Sequence, residues 1–184
     1  MSVTSVRKDP EALTMRITAE LDADVERSWQ LWADPRQLER WWGPPTYPAT
    51  FVDHDLVTGG RATYFMTAPN GDKFHGWWEV RAVEPPHRLE FQDGFADDSG
   101  ARNDAMPTMT SVVTLAERDG GGTMMVIETT FPSVEAMEKL MAMGFEEGIT
   151  SALGQIDAIL AGVDTSSADR CAPDCGEASP AGIP

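Results

Sequence analysis

Residues 133–161, SVEAMEKLMAMGFEEGITSALGQIDAILA, place their apolar side chains in steps of three and four. Met137, Leu140, Met141, Phe145, Ile149, Leu153, Ile156 and Leu160 share one stripe, while Glu135, Glu138, Lys139, Glu146, Glu147, Gln155 and Asp157 lie off it. That period predicts one long amphipathic helix. Ser133, directly after Pro132, suits the N-cap, although Ala136 stands where a capping-box glutamate would be. Gly162 suits the C-terminal end. Gly144 and Gly148 sit inside the pattern. Each costs a helix about 1 kcal/mol relative to alanine, so they predict either close packing or a bend. At about 1.5 Å per residue, about 29 residues make a rod of about 43 Å, long enough for one sheet to lie beneath most of it.

Outward from this helix the chain reads mainly as strands. Residues 108–116 and 123–131 alternate and are joined by Arg118-Asp119-Gly120-Gly121-Gly122. Residues 61–67 and 73–83 flank the turn Pro69-Asn70-Gly71-Asp72, a hairpin signal. Pro85-Pro86 ends the second of these, and residues 87–92 form a further strand with Leu89 and Phe91 on one face. Residues 93–107, DGFADDSGARNDAMP, read as a long polar loop placed either to gate a cavity or simply to connect. Nearer the N-terminus, residues 13–21 alternate as a half-buried first strand, with Leu13, Met15, Ile17 and Ala19 on one side. Asp22 or Asp24 caps a short helix with Val25, Trp29 and Trp32 on its apolar face, and Pro35 opens a second. Residues 47–57 return to strand, closed by the turn Thr58-Gly59-Gly60.

The sum is a strand, two short helices, a run of about six strands and a long helix, which predicts α+β. The simplest way to bury both apolar faces is a curved antiparallel β-sheet wrapped around one long C-terminal helix, with two short helices after the first strand. Residues 1–11 are expected to be a flexible leader, residues 12–162 the single domain, and residues 163–184 a disordered tail rich in Ser, Ala, Pro and Gly. The chain of 184 residues is long enough to bury a core without disulfides or metals. Its net charge of −16 argues against nucleic acid, whose recognition needs clustered Lys and Arg. No apolar leader and no membrane-length apolar run is seen, so no membrane insertion is expected and the cytoplasm is the expected location.

With these elements in place, a resemblance emerges. Trp41-Trp42-Gly43-Pro44, Thr58-Gly59-Gly60, residues 66–71, Gly76 followed by Glu79-Val80, Glu84-Pro85-Pro86-His87-Arg88-Leu89, and residues 143–149 together resemble the START-like (SRPBCC) superfamily, or helix-grip fold. Within it the chain looks most like the bacterial proteins related to the C-terminal domain of the activator of Hsp90 ATPase. The resemblance covers about residues 13–161 and departs at Ile149, where the family usually carries Trp. It implies a cavity between the sheet and the long helix. Superfamily members bind lipids, hormones or polyketides, and a few catalyse cyclisation or dehydration.

Strand and helix parity then nominates the cavity residues: Trp42, Ala62, Tyr64, Met66, Trp78, Phe91, Met109, Ser111, Val113, Met125, Ile127, Met137, Met141 and Phe145. The same Met and aromatic stripes are also what an ordinary filled core requires. His75, Tyr64 and Glu79 are the candidates for acid–base chemistry. Parity leaves two placements for His75, inward or outward, of which outward is preferred; Glu79 travels with it. His54 lies between Asp53 and Asp55, but alternation turns it away from both, and His87 has no visible partner. No metal site follows from these, and the Cys171/Cys175 pair has nothing to complete one. Nucleophile-elbow, zincin and phosphate-loop motifs are missing, and no cofactor is expected.

The leading expectation is a small-molecule binding protein taking a lipid-like or polycyclic apolar ligand. A co-chaperone-like or stress-response interaction protein with a protein partner is the second. A cyclase or dehydratase using Tyr64 and His75 is the third, ranked below binding. A homodimer that protects the sheet edges is a further expectation.

Overall fold

The computed structural model describes residues 2–162. The expected tail, with Cys171 and Cys175, lies outside the described residues. Eight strands are present: β1 (Ser2–Asp9), β2 (Thr14–Leu21), β3 (Ala49–His54), β4 (Arg61–Thr67), β5 (Lys73–Glu84), β6 (Arg88–Ala96), β7 (Met109–Glu117) and β8 (Thr123–Thr130). They form one antiparallel sheet in the order β1-β2-β8-β7-β6-β5-β4-β3. Helices α1 (Val25–Ala33) and α2 (Pro35–Leu38) connect β2 to β3. Helices α3 (Val134–Ala142), α4 (Phe145–Leu153) and α5 (Ile156–Leu160) follow β8.

The α+β class, the curved antiparallel sheet and the two early helices are as the sequence predicts. Period-two burial produces the core face directly. Met15, Ile17, Ala19 and Leu21 on β2, Met109, Ser111, Val113 and Leu115 on β7, and Thr123, Met125, Ile127 and Thr129 on β8 are all buried. The caps also form as read. Asp24 accepts from the Arg27 amide at 2.7 Å, and Ser133 from the Ala136 amide at 3.1 Å. Ser28 donates to Thr123 Oγ1 at 3.1 Å and Thr123 to the Ala23 carbonyl at 2.7 Å, which fastens α1 to β8.

Three expectations are corrected. The leader is a strand: Ser2–Asp9 pairs along β2 and extends the sheet by one edge, with Val3 and Val6 packed against the core. Its charged residues mask a short alternation, and Lys8 ion-pairs with Glu146 on α4. Second, the long C-terminal rod is three pieces. Gly144 takes φ +84°, which an α-helix does not contain, and the chain also turns at residues 154–155. Third, β6 runs on to Ala96 and shortens the loop after it.

Aromatic packing binds α1 and the turn after α2 to the sheet. Trp32 meets Trp41 edge-on at 4.8 Å, Trp42 meets Trp78 at 4.7 Å, and Trp78 stacks on Phe91 at 4.3 Å. Trp41 donates to the Leu31 carbonyl at 3.0 Å. Gln155, in the joint between α4 and α5, donates to the Gly43 carbonyl at 2.7 Å. The Trp41-Trp42-Gly43 turn is thereby locked between α1 and the C-terminal helices.

Candidate functional site

A cavity of about 290 Å³ lies between the core face of the sheet and helices α3 and α4. The sheet contributes Tyr64, Met66, Phe91, Asp93, Phe95, Met109, Ser111, Ile127 and Thr129. The C-terminal helices contribute Leu140, Met143, Phe145, Gly148 and Ile149, while Trp32, Trp42, Pro44 and Tyr47 close the α1 side. Tyr47, Phe74 and Met143 line it while remaining 38%, 56% and 57% exposed, which marks them as its rim. Ser111 and Thr129 hydrogen-bond to each other across β7 and β8 at 3.0 Å, so those hydroxyls already have a partner.

Of the residues nominated from the sequence, Trp42, Tyr64, Met66, Phe91, Met109, Ser111, Ile127 and Phe145 line this space. Ala62, Trp78, Val113, Met125 and Met137 do not; they are filled core, and Met141 packs half-buried against that core. The difference is depth along each strand or helix: parity selects a face, but only part of that face borders the open volume. Of the predicted loop at 93–107, Asp93, Gly94 and Phe95 line the cavity as part of β6; the loop that remains, residues 97–108, contributes no lining residue. It folds instead onto the far face of the sheet. There Arg102 stands 3.8 Å over the Trp77 ring and ion-pairs with Glu79.

The three acid–base candidates are not brought together. Tyr64 is buried on the core face. His75 borders the cavity, but its register partner is Phe65 on the other face, with the rings 5.7 Å apart. Glu79 lies on that outer face, bound to Arg102 and to Arg81 at 3.0 Å. The Arg102 hydrogen bond holds its carboxyl below the usual range. The chain therefore does not assemble a Tyr64–His75–Glu79 site. His54 packs against Phe51 and Trp78 at 5.8 and 6.4 Å, and burial lowers its pKa. His87 Nδ1 is 3.0 Å from the Leu115 carbonyl oxygen. Among the described residues no group of three or more His, Cys, Asp and Glu side chains is placed to hold a metal ion. No helix among them is long and apolar enough to cross a membrane.

The buried carboxylate at the chamber, Asp93, was missed by the sequence reading, as were the lining residues Trp32, Tyr47, Phe95, Leu140 and Ile149. Asp93 follows Leu89 and Phe91 at period two, so it belongs on the core face, opposite Trp78 on β5 and Met109 on β7. The pair Asp93-Gly94 resembles a turn signal, which hid that alternation. Asp93 is 8% exposed. Burial pushes its carboxyl up to about 7. Tyr64 is pushed above the ordinary phenol range by burial and, to a lesser degree, by the negative charge of Asp93, so its hydroxyl stays protonated. A buried acid and a buried neutral hydroxyl thus form the polar corner of an otherwise apolar chamber.

Comparison with known proteins places this architecture. The chain is similar to the crystal structure of protein Ms6760 from Mycobacterium smegmatis, with 52% identity over 86% of this chain and 97% of that one and a TM-score of 0.80. It is similar to a solution structure of a protein from Arthrobacter aurescens, also at 52% identity, covering 88% of this chain and 93% of that one, with a TM-score of 0.84. A protein from Staphylococcus epidermidis matches at 25% identity over 86% of this chain and 94% of that one, with a TM-score of 0.75. No curated protein matches significantly. The sheet and helices are those of the START-like superfamily, and the family model described as activator of Hsp90 ATPase homolog 1-like protein matches residues 22–161. By that match and by its sheet, this chain belongs to the activator of Hsp90 ATPase homolog 1-like family.

Proposed function

We propose that this protein binds a small, largely apolar molecule in the chamber between the sheet and helices α3 and α4. The observation that carries the reading is a partly open cavity of about 290 Å³ bordered by side chains of the hydrophobic core. Small-molecule sites are concave and mostly apolar, and Trp, Phe, Met and Ile side chains border this one. The exposed apolar rim of Tyr47, Phe74 and Met143 supports entry from solvent. Of the three acid–base candidates only Glu79 lies away from the chamber, on the outer face of the sheet, while Tyr64 and His75 both border it.

Native mass spectrometry of freshly purified protein tests the proposal. A mass excess that vanishes on denaturation supports it and identifies the ligand. Absence of any adduct, together with no change in tryptophan emission on titration with apolar aromatic probes, counts against it.

A further inference from the structure

Three groups at the chamber do not fit a purely apolar ligand: the Asp93 carboxyl and the indole N–H groups of Trp32 and Trp42, which are buried without a hydrogen-bond partner among the described residues. Asp93 faces the chamber, nine-tenths buried, with neither hydrogen bond nor ion pair among the described residues. Among the described residues no lysine or arginine lines the space. An unpaired carboxyl in such surroundings is costly, and apolar contact alone would be served better by leucine or methionine at this position. The nearby walls are aromatic: Trp32, Trp42, Tyr64 and Phe91 border the same volume. Ring faces attract cations, and a carboxylate beside them completes a receptor for positive charge on an apolar body. The chain's net charge of −16 favours the approach of cations from solution.

Building on the proposed ligand chamber, we infer that its ligand is a cationic amine. An aromatic or alicyclic body sits among the rings, and its ammonium group donates to the Asp93 carboxylate. The Tyr64 hydroxyl, protonated and close enough to feel the Asp93 charge, is the second polar contact available to the amine end. The other titratable groups at the chamber are Tyr47, before β3, and His75, on β5; α1, α3, α4, β7 and β8 present none. Because burial holds Asp93 at about 7, an ammonium ligand must expel its proton at lower pH. Amine affinity then falls by up to about tenfold per pH unit below that point and levels off above it.

Three probes with one aromatic body separate the two readings: naphthylmethylamine, naphthylmethanol and naphthoic acid, titrated by calorimetry at pH 8 and across pH 5–8. The expected result is an amine affinity at least tenfold above that of the alcohol, with the acid weakest. Asp93→Asn, nearly isosteric, should remove the amine preference and its pH dependence while keeping alcohol binding. Persistence of that pH dependence in Asp93→Asn overturns the inference. Equal binding of amine and alcohol by the wild-type chain overturns the inference and leaves the chamber reading standing. Binding of none of the three, in protein whose native mass spectrum also carries no adduct, overturns both. The pH series on the wild-type chain decides between these outcomes even if the variant folds poorly.

Discussion

The ring of Tyr64 lies over Gly76, its partner across β4 and β5. A Cβ at Gly76 would stand 2.4 Å from Tyr64 Cζ and 2.5 Å from its hydroxyl oxygen. The missing side chain at one position is thus the seat of the aromatic at the other, and it holds the hydroxyl at the chamber wall. Gly76→Ala should expel the ring and destabilise the fold by about 1–3 kcal/mol, the usual cost of overpacking. Urea unfolding of Gly76→Ala, Tyr64→Ala and the double variant checks this. The double variant should lose less than the sum of the singles, because the clash disappears with the ring. Strict additivity would refute the pairing.

Gly144 and Gly148, four residues apart, should respond to alanine with opposite signs. Gly144 has φ +84°, so a Cβ there is strained, and Gly144→Ala should cost about 1–2 kcal/mol. Gly148 lies within α4, where a Cβ would meet nothing within 4 Å, so Gly148→Ala should gain about 0.5–1 kcal/mol. Thermal unfolding reads both. A continuous helix through residue 144 would instead be stabilised by both substitutions. Gly148→Leu, filling the chamber it borders, should keep the fold and weaken naphthyl probe binding at least tenfold.

Asp93 makes stability fall as pH rises through the weakly acidic range. An ordinary aspartate carboxyl, as in the unfolded chain, ionises at 3.8, whereas that of folded Asp93 ionises at about 7. Between those values the folded chain holds a proton that the unfolded chain has released. The stability tied to that proton is complete below about 4 and gone above about 7. The difference between those two values corresponds to on the order of 4 kcal/mol. Asp93→Asn should therefore gain on the wild type progressively from pH 4 to 7 and hold a constant advantage above. Denaturant midpoints across pH 4–8 measure it; parallel curves would place Asp93 in contact with water.

Arg102 tests the far face. Its guanidinium covers Trp77 and pairs with Glu79, away from the chamber. Arg102→Ala should speed limited proteolysis at residues 97–108 while leaving probe affinity within twofold. A large affinity change would return that loop to the chamber's entrance.

Much of this molecule follows from period alone. The core faces of β2, β7 and β8 and the caps of α1 and α3 need no more than alternation and one side-chain acceptor each. What period cannot supply is termination and depth. The helical stripe from Met137 to Leu160 passes unbroken through Gly144, because a stripe records which side is apolar and not whether the backbone turns. Trp78 and Tyr64 share a face, yet one is packed on both sides and the other borders open volume. Asp93 illustrates the remaining gap: a carboxylate followed by glycine signals a turn so strongly that Leu89-Phe91-Asp93 is not read as one alternation.

The break at Gly144 bears on how occupancy and order are linked. A nine-residue α4 is too short to be helical by itself in water, so its structure is borrowed from whatever it rests on. Its deepest anchors, Ala152 and Leu153, are at one end, while Phe145, Gly148 and Ile149 face the chamber at the other. A guest beneath those residues would add to the contacts that Phe145 makes with Phe131 and Glu146 with Lys8. A ligand that bound there would therefore also stabilise the first turns of α4, since binding to the folded form adds to its stability.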